Sequence, residues 1–229
     1  MSLSVLIPLV AVTGAAVGIF LVQVIERSSS RPRGARAGPS TGGVVVTNMT
    51  VWVLLSLGLY QHFLAALPAF LLFGSVLVVQ SWIDLRERRL PRMNTFTGIA
   101  LGAPGLAVAA LIIDEPERMW MAVLGAIVAL ILIGAMYVIS NAIYGNDVAF
   151  GFGDVLLSPL LGLYLGWLNP GFVGLGLFLG FLLASVAAII GLVFTHADAK
   201  SQLPFGPFLA IGALAMVIAG QPFVDAVFA

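Results

Sequence analysis

Uncharged stretches divide this chain into segments about as long as a membrane-crossing helix. They cover residues 1–25, 37–83, 93–113, 119–146, 155–195 and 201–224. An α-helix needs about 20 mainly apolar residues to cross about 30 Å of hydrocarbon. Two of the stretches are long enough for two helices, and turn signals at Pro68 and at Asn169-Pro170-Gly171 divide them. The pattern predicts eight spans, near residues 3–25, 48–64, 67–83, 95–113, 119–142, 155–168, 171–194 and 204–222.

The composition supports a membrane protein and excludes soluble enzymes, secreted factors and disordered chains. Of the 229 residues, 61% are hydrophobic and only 9% are charged, whereas an average soluble domain has about 25% charged residues. So few charges cannot cover the surface of a globular domain. We therefore expect an all-α fold, a polytopic bundle of about eight transmembrane helices that forms one domain over residues 1–229. Residues 27–47, rich in Arg, Gly, Pro and Ser, are expected to form a basic linker.

The basic residues are distributed unevenly between the two sides of the predicted bundle. If the amino terminus lies outside, nine of the ten Lys and Arg residues fall in cytoplasmic loops, and only Arg118 falls outside. Such loops carry an excess of Lys and Arg in membrane proteins, so residues 27–47 and 84–94 are predicted to face the cytoplasm. The Arg residues of the linker are expected to attract anionic lipid. The net charge of zero gives no general attraction for nucleic acid, which we do not expect as a partner.

The residue types that bind transition metals are scarce. The chain has no cysteine and only two histidines, His62 and His196. This excludes disulfide bonds, thiolate zinc sites and thiol catalysis. We expect neither a metal ion nor a cofactor.

Several polar and small residues predict contacts between helices. The pairs Gly162/Gly166 and Gly176/Gly180, each four residues apart, would let neighbouring helices approach closely. Gln23, Gln80 and Asn141 lie near helix ends and are expected to bridge helices.

Two carboxylates lie at the ends of predicted helices, and an ionisable residue at membrane depth is a candidate for function. Asp84 follows the apolar run 70–83, and Asp154 directly precedes the stretch 155–195. In the predicted topology both lie at cytoplasmic helix ends and at similar depth, so they can meet although they are 70 residues apart. Each also has a purely structural interpretation. Asp84 could pair with Arg88, and Asp154 could cap a helix.

A pair of carboxylates at this position could hydrolyse a peptide bond. Two carboxylates at short range share one proton, so one can deprotonate water while the other protonates the carbonyl oxygen or the leaving amide. Gly151 and Gly153 allow the backbone before Asp154 to approach a partner closely, and an extended peptide could lie against it as an added strand. This is the chemistry of an aspartic protease.

Three segments resemble motifs of the prepilin peptidases, or type IV leader peptidases. Residues 83–95, which include Asp84 and the pair Leu90-Pro91, resemble the family's first catalytic motif. Gly151-Phe152-Gly153-Asp154 resembles its GxGD motif, and Pro204-Phe205-Gly206-Pro207 resembles its carboxy-terminal motif. The segments occur in the family's order and define a motif-bearing region over residues 80–212. The last segment could also simply start the final helix.

The resemblance implies a GxGD aspartyl-protease bundle in which Asp84 and Asp154 are catalytic. It implies an endopeptidase of the inner (cytoplasmic) membrane that removes the short basic leader from type IV prepilin-like precursors at the cytoplasmic face. The glycines and prolines of the second and third motifs, together with Phe205, are then expected to line the site or bind substrate: Gly151, Gly153, Pro204, Phe205, Gly206 and Pro207.

Two positions depart from the family's pattern. Leu156 stands where many relatives have a basic residue, which removes a cation near the second carboxylate. The linker 27–47 lacks the paired cysteines of the domain that bifunctional relatives use for N-methylation. We therefore expect a peptidase without N-methyltransferase activity.

A small transporter or channel is the alternative function, because intramembrane carboxylates and glycine-broken helices also occur in substrate pathways. Against this alternative, both carboxylates are predicted at one membrane face, and no paired inverted segments are evident. An inactive scaffold that retains the protease fold is a third possibility. Asp147, His196 and Asp198 are better explained as loop residues than as further members of the site.

Overall fold

The computed structural model of the chain describes residues 2–29, 40–144, 151–195 and 204–228. Within these residues the chain forms eight α-helices and one short 3₁₀ turn at Leu64–Ala66. The helices are α1 (Leu3–Ser28), α2 (Thr41–Leu59), α3 (Leu67–Glu87), α4 (Arg92–Ile112), α5 (Arg118–Tyr144), α6 (Phe152–Leu168), α7 (Pro170–Thr195) and α8 (Gly206–Phe228). Each corresponds to one predicted span, in the predicted order.

Most of these helices are long and apolar enough to cross a membrane. Among the described residues, six helices meet this condition: α1, α2, α3 with its preceding 3₁₀ turn, α4, α5 and α7. Helix α6 and the apolar part of α8, Gly206–Gly220, are shorter. Large hydrophobic side chains are exposed along the outer helices, for example Ile131 and Val138 of α5, as expected of surfaces that face lipid. The protein is therefore a polytopic membrane helical bundle, as predicted.

The second helix begins earlier than the hydropathy pattern predicts. Helix α2 starts at Thr41, inside the predicted linker 27–47. Ser40 caps the helix by accepting a hydrogen bond from the Gly43 amide at 3.2 Å. Gly43 lies so close to α3 that a Cβ there would be 2.9 Å from the ring of Trp82. The cap and this contact extend the helix through a Gly-Gly pair that has low helix propensity.

Helices α3 and α6 lie at the centre of the bundle. The ring of Phe73 stacks on that of Tyr164 with centroids 4.3 Å apart, and Phe70 meets the edges of Tyr164 and Trp167 at 5.2 and 6.1 Å. Nearly every residue of α6 after Asp154 is buried. A helix of 17 residues is about 25 Å long, shorter than the hydrocarbon layer. Because α6 is enclosed by other helices, its length does not have to match the bilayer.

The carboxyl end of α6 is capped by Arg118. The guanidinium Nη1 donates to the carbonyl oxygens of Trp167 and Leu168 at 3.1 and 3.2 Å. Its Nε donates to Glu115 at 2.5 Å, and the guanidinium lies 4.4 Å from the centroid of the Phe63 ring. Arg118, the single basic residue predicted on the outer side, thus has a structural role at the end of α6.

The two glycine pairs lie at close helix contacts, which confirms their predicted role in packing. A Cβ on Gly166 would lie 2.9 Å from the Cα of Gly125 in α5. On the other pair, a Cβ on Gly180 would lie 3.0 Å from the Cα of Leu209 in α8. The backbone of α5 therefore packs directly against that of α6, and the backbone of α7 packs directly against that of α8.

Candidate active site

The register of α3 against α6 brings Asp84 and Asp154 to the same end of the bundle. Phe73 of α3 stacks on Tyr164 of α6, and Phe70, which precedes Phe73, contacts Trp167, which follows Tyr164, so the two helices run antiparallel. Asp84 follows Phe73 by eleven residues, and Asp154 precedes Tyr164 by ten. At about 1.5 Å per residue, both carboxylates lie roughly 15–17 Å along the helix axes from the stacked rings. They are therefore at the same depth.

Asp84 is held by a backbone amide from the other end of the chain. Only 5% of the residue is exposed, and its Oδ2 accepts a hydrogen bond of 2.8 Å from the Gly206 N–H. Arg88 ends α3 in the left-handed conformation, with φ 51°, and donates its backbone amide to the Asp84 carbonyl at 2.8 Å. The side chain of Arg88 is exposed. The contact of Arg88 with Asp84 is thus a helix cap through the backbone.

Asp154 lies in the first turn of α6 and is also 5% exposed. The helix is capped by Gly151, whose carbonyl accepts the Asp154 amide at 3.0 Å, so Asp154 is not the cap residue itself. A Cβ on Gly151 would lie 3.4 Å from Asp154 Oδ2. Leu90 lies beside Gly153, the residue before Asp154, and also beside Gly206, whose amide binds Asp84. Two buried carboxylates from different helices are therefore neighbours, and we refer to them as the pair.

The carboxy-terminal motif contributes to this site and also starts a helix. Helix α8 begins at Gly206, the residue whose amide binds Asp84. The ring of Phe205 packs 5.2 Å from that of Phe181 in α7, while Pro204 and Pro207 are half-buried on either side of the Phe-Gly pair. The segment therefore starts the final helix and contacts Asp84 through Gly206, while its role as a wall of the site stays a prediction.

Leu90 is a further neighbour of the pair, and the sequence predicted no role for its side chain. Its side chain lies between the backbones that carry the second and third motifs. A Cβ on Gly153 would be 3.0 Å from Leu90 Cβ, and a Cβ on Gly206 would be 3.0 Å from Leu90 Cδ2. The two glycines leave the space that this side chain occupies. The only indication in the sequence that Leu90 lies near the carboxylates was the pair Leu90-Pro91 in the first motif.

The turn that carries Leu90 is fastened to α3 by Gln80. The Gln80 Nε2 donates to Thr95 Oγ1 at 2.7 Å and to the Pro91 carbonyl at 3.2 Å. Gln80 is 1% exposed and lies one helical turn before Asp84. This confirms the prediction that Gln80 bridges two helices, and it ties the start of α4 to the site.

The residues of this site lie largely within a segment that matches a known protein family. Residues 71–195 match the type IV leader peptidase family. This match covers more than half of the chain and includes both Asp84 and Asp154. The chain belongs to the type IV leader peptidase family. The Pro204-Phe205-Gly206-Pro207 segment lies beyond the matched residues, and its contact with Asp84 connects it to the part that matches.

Several curated members of the leader peptidase family are similar to this chain. The prepilin leader peptidase/N-methyltransferase of Burkholderia pseudomallei (strain 1026b) is 34% identical over 164 residues, which are 69% of this chain and 48% of the relative. The type 4 prepilin-like proteins leader peptide-processing enzyme of Escherichia coli O78:H11 is 32% identical over 149 residues, 65% of this chain and 51% of the relative. The chain spans about half the length of the curated relatives it matches. No solved structure matches it.

Membership of the leader peptidase family does not favour the transporter or channel alternative. Leu156, which departs from the family pattern, is half-buried in the first part of α6. Asp147, His196 and Asp198 lie outside the described residues.

Proposed function

We propose that this chain is an aspartic endopeptidase in which Asp84 and Asp154 hydrolyse the peptide bond that joins a short basic leader to a type IV prepilin-like precursor. The observation that carries the proposal is that two buried carboxylates, one from α3 and one from α6, lie at the same end of the bundle on either side of Leu90. The proposal is further supported by the family to which the chain belongs and by the names of its relatives.

We give the two carboxylates different roles, with Asp84, which accepts the 2.8 Å hydrogen bond from Gly206, as the ionised one. An N–H donor favours the ionised form of the carboxylate that accepts it, so Asp84 takes a proton from the attacking water. Asp154 holds the shared proton and gives it to the carbonyl oxygen as the water oxygen bonds to the carbonyl carbon. When the tetrahedral intermediate collapses, Asp84 returns its proton to the leaving nitrogen and Asp154 recovers one from the hydroxyl group.

The precursor would approach along the backbone at Gly151 and Gly153. Gly151 is exposed and Gly153 is half-buried, and neither carries a side chain that would keep a peptide away from Asp154. The backbone at Gly151 is extended and can hydrogen-bond to an extended substrate, whereas Gly153 already belongs to the first turn of α6. Lipid surrounds the bundle, and the membrane-embedded part of the precursor would lie beside it.

The site is proposed to face the cytoplasm from the inner membrane. The basic residues of the α3–α4 turn and its flanks lie at the same end as Asp84, namely Arg86, Arg88, Arg89 and Arg92. The acidic residues between α4 and α5, including Asp114 and Glu115, lie at the opposite end. An excess of basic residues on the cytoplasmic side supports this orientation.

The direct test is cleavage of a tagged prepilin-like substrate by the purified protein in detergent, with the new amino terminus identified by mass spectrometry. Asp84→Asn and Asp154→Asn should each lower the rate by about 10²–10⁴-fold, because an amide cannot exchange the proton. Asp114→Asn is the matched control. It makes the same change at an exposed residue of the opposite end, where φ is 59° and asparagine is well tolerated. Full activity of either variant at Asp84 or Asp154 would contradict the assignment.

We further propose that cleavage is not followed by methyl transfer. The chain has no cysteine, and α1 ends at Ser28 while α2 begins at Thr41, within the linker region for which the resemblance to bifunctional enzymes implies a cysteine-bearing domain. Incubation with labelled S-adenosylmethionine should therefore leave the mature amino terminus unlabelled. Label at that terminus would overturn this part of the proposal.

A further inference from the structure

Leu90 has an unusual position for a half-buried loop residue. Its Cβ, Cγ and Cδ1 lie 3.0, 3.4 and 3.5 Å from where a Cβ on Gly153 would be. On the other side, its Cδ2 lies 3.0 Å from the corresponding point on Gly206. Gly153 precedes Asp154 along the chain, and Gly206 binds Asp84 through its amide. One side chain thus touches the backbone next to both carboxylates.

The turn that holds Leu90 is fixed from both sides. Before it, α3 ends at Arg88 in the left-handed conformation, and Arg89 Nη2 donates to the Ser28 carbonyl at 2.6 Å. After it, the Pro91 carbonyl accepts a hydrogen bond of 3.2 Å from Gln80. These contacts join α1, α3 and α4, so the backbone at Leu90 cannot shift freely. Its side chain is therefore a fixed boundary of the site.

A peptide bond placed between the two carboxylates lies near Gly153 and Gly206, the backbones that Leu90 touches. The side chain of a substrate residue next to that bond then comes close to Leu90. We infer that Leu90 limits the size of the substrate side chain that can lie beside the scissile bond. The inference rests on the proposed peptidase function and adds a specificity-determining residue to it.

The size of the Leu90 side chain sets the direction of each expected change. Leu90→Ala removes three carbon atoms and opens space beside Gly153 and Gly206, whereas Leu90→Phe adds volume at the same place. One methylene in an apolar pocket changes selectivity by about tenfold or more. The informative quantity is the ratio of kcat/KM for an enlarged substrate to that for the unmodified one. This ratio does not depend on how much of a variant is folded.

The experiment uses a prepilin-like substrate and versions in which a residue flanking the scissile bond is enlarged stepwise. Leu90→Ala should raise the ratio for the enlarged substrates by about tenfold or more, and Leu90→Phe should lower it. Leu90→Val, a smaller change, should give an intermediate ratio. Leu85→Ala is the matched control, because Leu85 lies in the same segment but its side chain is exposed. It should leave the ratio unchanged.

Two outcomes would overturn the inference. One is an equal ratio for Leu90→Ala and the unmodified protein. The other is loss of cleavage of every substrate by both Leu90→Ala and Leu90→Val while Leu85→Ala stays active, since that result indicates a purely structural role. If the unmodified protein and Leu85→Ala also fail with every substrate, the proposed peptidase function is wrong and the inference falls with it.

Discussion

Replacing Gly206 with alanine is expected to slow the proposed reaction while the fold is retained. The new Cβ would lie 3.0 Å from Asp84 Oδ2 and 3.0 Å from Leu90 Cδ2, whereas ordinary contacts begin near 3.4 Å. The difference between these distances is about 0.4 Å. Either the Asp84 carboxylate or the start of α8 must move by this amount. Both movements also disturb the hydrogen bond of 2.8 Å from Gly206 to Asp84.

The magnitude follows from the sensitivity of catalysis to geometry. A displacement of about 1 Å can cost roughly 10²-fold in rate, so a displacement of about 0.4 Å is expected to cost roughly tenfold. Tenfold corresponds to about 1.4 kcal/mol in the activation free energy. The free energy of unfolding should change by less than about 1 kcal/mol, because alanine favours helix formation over glycine and offsets part of the crowding. The substitution should thus lower the rate clearly while changing the stability little.

The assay measures kcat/KM on the prepilin-like substrate together with the unfolding midpoint in detergent. Gly174→Ala in α7 is the matched control, because no atom lies within 4 Å of its added Cβ. The control should keep the full rate. A rate for Gly206→Ala within twofold of the unmodified protein would refute the reasoning that this glycine is required beside Asp84. A fall in the unfolding midpoint that accounts for the lost activity would refute it as well.

Three further predictions concern the bundle around the site. Arg118→Met should lower the free energy of unfolding by about 2–4 kcal/mol, because it removes hydrogen bonds from a charged group and a cation–π contact; an unchanged midpoint in a detergent unfolding titration would contradict this. Gly166→Ala should destabilise the bundle by about 1–3 kcal/mol, since its Cβ meets the backbone of Gly125 at 2.9 Å; Gly174→Ala is again the control. Reporter fusions at Arg89 should read cytoplasmic and fusions at Glu115 external, and the reverse result at Glu115 would exclude the proposed orientation.

The number and order of the helices could be predicted from the sequence because the bilayer imposes a length on each apolar stretch. The candidate carboxylates could be found for a related reason. A charge next to a long apolar run is costly, so Asp84 and Asp154 stand out without any knowledge of the fold. The resemblance to the leader peptidases rests on short contiguous segments, which a sequence displays directly. The family match agrees with that resemblance.

Contacts between distant segments were decided by the tertiary structure alone. Residues 84 and 206 lie far apart in the chain, and the hydrogen bond between them depends on how α3 and α8 are rotated and placed. The position of Leu90 and the cap that Arg118 provides for α6 depend in the same way on several helices at once. Hydropathy reports only whether a side chain is apolar, and most faces of these helices are apolar. The pattern along the chain therefore determined which segments cross the membrane, whereas close packing at small residues decided which faces meet and which groups touch the carboxylates.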